Sequence, residues 1–151
     1  MALSIANRLL RERTIREAEG YLELLLAGGD RWELEPAARD PLGARVLRML
    51  MRLDAEDRRS AHALYLQGLA YRAMERYGDA ILPLTESAER KPENIHVWLT
   101  LGWCFKRTGQ LRAAIESLHE ALAVDPRQAI LHYNVACYWS LAGDAERALR
   151  A

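Results

Sequence analysis

Three blocks of this chain superimpose when displaced by a constant interval: LYLQGLAY at 64–71, WLTLGWCF at 98–105 and HYNVACYW at 132–139, each starting 34 residues after the last. The register continues outside the blocks. Gly68, Gly102 and Ala136 fall in phase, as do Ala80, Ala114 and Ala148, while Leu84 matches Leu118 and Pro92 matches Pro126. A period of this length is the mark of a stacked array, because one such unit cannot bury its own apolar face and must lean on its neighbours.

Within one period the pattern predicts a helix, a tight turn and a second helix. Over 95–108, Trp98, Leu101, Gly102 and Phe105 recur at helical spacing and form one apolar stripe. Gly109 interrupts the stripe as a turn residue. A second stripe follows in Leu111, Ala114, Ile115, Leu118 and Leu122, and Asp125-Pro126 stops it, since the residue before proline avoids the helical region. Glycine inside a helix costs up to about 1 kcal/mol. Its recurrence at 68 and 102 therefore suggests close packing of paired helices.

These residues resemble the tetratricopeptide repeat family, whose signature runs W-x2-L-G-x2-Y, then A-x3-F, then P. Trp98, Leu101, Gly102, Phe105, Ala114, Leu118 and Pro126 carry it in one unit; Leu64, Gln67, Gly68, Tyr71, Ala80, Leu84 and Pro92 carry it in another. His132, Val135, Ala136, Trp139, Gly143 and Ala148 give a third, which has histidine where tryptophan often sits. The resemblance implies an all-α chain, a right-handed superhelical stack of antiparallel helix pairs, with units at 61–94 and 95–128, an incomplete one at 129–151, and one continuous solenoid domain. Residues 1–30 read as a degenerate helix pair, with Ala6 and Leu9 on the first helix and Ala18, Leu22 and Leu25 on the second. Thr14 and Glu17 would form a capping box and Gly28-Gly29 the stop. Residues 31–60 read as a connector and a single helix, capped by Asp40, begun by Pro41 and running to about Leu53.

Composition narrows the function. The chain is half hydrophobic and 28% charged with zero net charge, so it suits a globular protein and offers no basic face for nucleic acid. Arginine supplies nineteen of the twenty-one cations, a bias that suggests a bacterial source. No signal peptide or membrane span is evident, and the expected address is cytoplasmic. Two widely spaced cysteines make neither a disulfide scaffold nor a zinc knuckle. Cys104 falls beside the apolar stripe as a buried thiol, and no histidine is placed to activate Cys137. His62 and His96 occupy equivalent places 34 residues apart, but two imidazoles alone make a poor metal site. No enzyme, metal or cofactor is expected.

What the resemblance implies instead is a concave face of first helices that binds a peptide or a partner helix. Carried over by register, its lining is Tyr65, Leu69 and Arg72, then His96, Leu99, Trp103, Lys106 and Arg107, then Tyr133 and Cys137. Aromatic anchors with basic rims suit a segment bearing an apolar side chain near acidic groups. The positions used by the chaperone-tail carboxylate clamp hold Tyr65, Leu69, Thr100 and Trp103, so recognition of chaperone C-termini is not expected. The chain is therefore expected to be a non-catalytic interaction scaffold. The alternatives are a small bacterial secretion-type chaperone and an accessory segment of a larger enzyme or assembly. The short last helix, near Asp144 to Ala151, points to a natural protein that continues further.

Overall fold

The ends of three helices share one hydrogen-bonded form. The computed structural model of the chain describes residues 2–27 and 34–151, with side chains from residue 4 onward. Its helices are α1 (Ala2–Leu26), α2 (Pro36–Met51), α3 (Ala55–Arg58), α4 (Ala61–Ala73), α5 (Tyr77–Arg90), α6 (Ile95–Arg107), α7 (Leu111–Val124), α8 (Ala129–Leu141) and α9 (Ala145–Arg150). No strand occurs among the described residues. After α4, α6 and α8 the chain closes with a 6→1 bond: Arg76 N–H to Tyr71 O at 2.9 Å, Gln110 to Phe105 O at 2.8 Å and Asp144 to Trp139 O at 2.9 Å. The residue before each donor is left-handed, with φ of 57° at Glu75, 78° at Gly109 and 80° at Gly143. These are Schellman turns, and they recur at the interval of the sequence repeat.

The same register governs the helix starts, at 61, 95 and 129 for α4, α6 and α8 and at 77, 111 and 145 for α5, α7 and α9. Ser60 caps α4 by accepting from Ala63 N–H, Asn94 caps α6 by accepting from His96 N–H, and Asp144 caps α9 by accepting from Arg147 N–H.

Two N-terminal expectations need correction. Residues 2–26 form one helix of 25 residues, not a pair. Nothing between Asn7 and Glu19 breaks a helix, and Thr14 is buried within the helix instead of capping a new one. Helix α2 begins at Pro36, five residues before the expected start, and runs through Pro41. Pro36 takes the first-turn place, where its missing N–H has no intrahelical partner to lose. The expected Gly28-Gly29 stop, and residues 30–33 of the connector, lie outside the described residues. Asp54 also caps a short helix that the sequence reading did not foresee, accepting from Asp57 N–H at 2.8 Å.

The chain clusters into two compact units, Met1–Arg76 and Tyr77–Ala151, so the stretch 61–94 contributes α4 to one and α5 to the other. In the first, α1 packs on α2 and α4, and α2 on α4. Its core gathers Ala18, Leu22, Val46, Leu50, Ala63 and Leu66. In the second, each helix packs on the next from α5 to α9. Ala114, Ile115, Leu118 and Ala121 of α7 meet Leu131, Val135 and Tyr138 of α8. On its other side α7 lies so close to α6 that a Cβ at Gly102 would stand 3.2 Å from the Ala114 carbonyl oxygen and 3.4 Å from Leu118.

Two substitutions test this frame. Glu75→Gly removes the left-handed strain of a residue with a side chain. It should raise unfolding free energy by about 0.5–1 kcal/mol even after losing the pair of half-buried Arg39 with exposed Glu75 at 3.3 Å. Gly102→Val should lower it by about 1–3 kcal/mol through overpacking against backbone. Urea unfolding followed by circular dichroism measures both.

Candidate partner-binding site

Helix α6 divides by face. Val97, Thr100, Leu101 and Cys104 are buried, and Trp98, Leu99 and Phe105 pack at the edge of the second unit's core. Thr100 donates its hydroxyl to the His96 carbonyl at 2.8 Å, so this buried polar group faces its own helix and no groove. Trp103 lies on the remaining face, partly buried. Its ring is covered by the Lys106 ammonium, 4.7 Å from the centroid and one turn along the helix. The same ammonium reaches the Tyr138 ring of α8 at 5.7 Å. A cation shared between two π faces is positioned without being neutralised.

The other residues expected on this unit fall into three groups. His96 and Arg107 are exposed, and Arg107 lays its guanidinium over Tyr77 of α5 at 5.0 Å. Leu99 and Cys137 pack against the core, so their contribution to any surface is an edge. Tyr133 is 66% exposed on α8. Cys137, one turn away, holds Tyr133 above the ordinary tyrosine value: the phenol keeps its proton by donating to the sulfur, and the sulfur's charged form repels a phenolate.

Histidine in the third unit takes over a tryptophan's bond. Trp98 donates its indole N–H to the Pro92 carbonyl at 2.8 Å, and the His132 Nε2 lies 2.8 Å from the Pro126 carbonyl. A carbonyl only accepts, so the Pro126 contact is a hydrogen bond when Nε2 carries a proton; Nδ1 meets a second acceptor, the Ala151 oxygen, at 3.0 Å.

In the first unit, Tyr65 and Leu69 line a groove of about 620 Å³ between α1 and α4. Its floor is apolar, with Leu22 and Leu26 of α1 facing Tyr65, Leu66 and Leu69 of α4; its rim carries Glu19, Glu23 and His62. Glu19 pairs with His62 at 2.6 Å. Arg72 is partly buried and is not among the lining residues. The α1 wall was missed because residues 1–30 were read as two helices. The recurrence of Glu19, Leu22, Glu23 and Leu26 along one helix face was its available signal.

No group of three or more His, Cys, Asp or Glu side chains is gathered for a metal ion among the described residues. Cys104 is fully buried. Among the described residues no helix is long and apolar enough to cross a membrane.

Residues 71–136 match a family model described as tetratricopeptide repeat. A 55-residue stretch is 38% identical to anaphase-promoting complex subunit 3 of Dictyostelium discoideum, covering 36% of this chain and only 6% of that much longer protein. Among solved structures, MamA from AMB-1 is 25% identical with a TM-score of 0.67, covering 97% of this chain and 88% of that one. A further MamA structure is 18% identical at a TM-score of 0.68, covering 93% and 79%. YrrB, a TPR protein with an unusual peptide-binding site, is 20% identical at 0.60, covering 74% and 54%. The shared fold is an α-solenoid of helix pairs.

Three variants separate support from surface. Trp98→Ala should destabilise the chain by about 3–5 kcal/mol in urea unfolding. Trp98→Phe, which removes the donor to Pro92 and reduces packing, should lower stability by at least about 1 kcal/mol. Cys137→Ala should bring the Tyr133 pKa down toward its ordinary value, read from the ring resonance in an NMR titration.

Proposed function

We propose that this chain, whose residues 71–136 match a tetratricopeptide repeat family model, is a non-catalytic protein-interaction scaffold. Its ligand is an extended peptide or a helix of a protein partner. The observation that carries the reading is Trp103, a large ring outside the apolar core and held by a cation. Aromatic and basic side chains of this kind dominate binding energy at protein interfaces.

In this reading Trp103 anchors an apolar side chain of the partner. Lys106 and Arg107 attract neighbouring acidic groups, and their placement over Trp103 and Tyr77 limits the ordering that binding must impose. His96 and Tyr133 extend the surface, with Leu99 and Cys137 at its edges. The peptide-binding site of YrrB supports such a use of this fold. Tyr65, Leu69 and Arg72 belong to the first unit, where Tyr65 and Leu69 line the groove.

The test begins with random peptides displayed on phage and selected on the full chain, followed by affinity measurement of the enriched peptides. Trp103→Ala should weaken binding by about 2 kcal/mol, roughly thirty-fold, while helical circular dichroism stays unchanged. Equal affinity for the variant and the unaltered chain would remove Trp103 as the anchor.

A further inference from the structure

We infer that the groove between α1 and α4 is a second docking site, shaped for a protein segment that carries an apolar side chain beside lysine or arginine. The groove offers about 620 Å³ over an apolar floor, room for more than one side chain. Its rim has one sign of charge. Glu19 and Glu23 stand on α1, and none of the described lining residues is a lysine or an arginine. Glu23 is exposed and makes no ion pair among the described residues. Glu19 meets His62, which leaves its carboxylate further acceptor sites.

The spacing also constrains the partner. Glu19 and Glu23 are one helical turn apart, about 6 Å along the axis. Two residues of extended chain span about 6.6 Å. An extended segment with basic residues at alternate positions therefore matches both carboxylates, and the side chain between or beside them enters the floor formed by Leu22, Tyr65 and Leu69. This chemistry is opposite to that of the Trp103 surface, where the fixed charges are Lys106 and Arg107. A partner selected by one surface is repelled by the other, so the two sites take different segments.

The experiment uses the full chain carrying Trp103→Ala, so that the surface of the previous section contributes nothing. Random peptides on phage are selected on it, and the enriched sequences are synthesised with a fluorophore for anisotropy titration. The expected peptides pair an apolar residue with lysine or arginine at alternate positions and lose affinity in raised salt. Glu23→Lys should weaken them about ten-fold, and replacing the peptide's basic residues by glutamate should restore binding to that variant. Tyr65→Ala should weaken the same peptides. Absence of any enriched peptide overturns the proposal. So do peptides without basic residues, or peptides indifferent to both Glu23→Lys and Tyr65→Ala. A concentration-dependent dimer that Glu23→Lys disperses also overturns it, in favour of a second copy of this chain as the occupant. Exposed Glu23 on a regular helix keeps the test independent of folding, which circular dichroism checks.

Discussion

The second unit depends on the near contact of α6 and α7 at Gly102. With no Cβ, residue 102 lets the Ala114 carbonyl approach to a distance that any side chain would contest. That approach turns one face of α6 inward and seats Leu118 against it. Leu101 and Cys104 then have only the interior to occupy, and Trp103 has only the opposite side. The placement of the tryptophan thus follows from the small residue before it. Packing on one face of a helix determines what the other face presents, because rotating α6 to bury Trp103 would break the contact at Gly102.

The helix periodicity was legible because small residues, prolines and aromatics recur at one interval. The left-handed position after α4 was not, since Glu75 stands where Gly109 and Gly143 stand and carries no marker of its conformation. Its turn forms anyway, through the bond from Arg76 to Tyr71. Proline misled in the other direction. Pro41, read as the first residue of a helix, lies inside α2, and Pro83, where no boundary was expected, lies inside α5. Pro83 is buried with Ala80 and Leu84, so tertiary packing outweighs the missing hydrogen bond. Of the site residues, Trp103 and Lys106 could be placed together from their spacing on one helix. The pairing of Tyr65 and Leu69 with α1 could not, because it depends on which distant helix packs beside α4.

Arginine does much of its work here through its flat face. Arg45 covers Tyr21, Arg76 covers Tyr71, Arg107 covers Tyr77 and Arg147 covers Trp139, at 4.7 to 5.0 Å. A guanidinium on a ring can still use its edge donors: Arg45 also pairs with Glu17 and Arg147 with Asp144. The neutral net charge of the chain therefore conceals locally ordered charge. In the first unit the acidic side chains reach the groove, while in the second the cations rest on aromatic surfaces beside the exposed face of α6.

The bond shared by Trp98 and His132 carries a lesson about variation. Both rings set a nitrogen against the carbonyl of a proline six residues upstream, at the same distance of 2.8 Å. In two of the three units this place holds a ring nitrogen that reaches that carbonyl, while in the remaining unit Leu64 fills it with apolar bulk alone. Tryptophan and histidine are then interchangeable letters for the anchoring of the turn, whereas phenylalanine, the more obvious apolar substitute, is a misspelling. A chain can drift a long way from the aromatic signature of its repeat and still tie down the turns where a ring nitrogen remains.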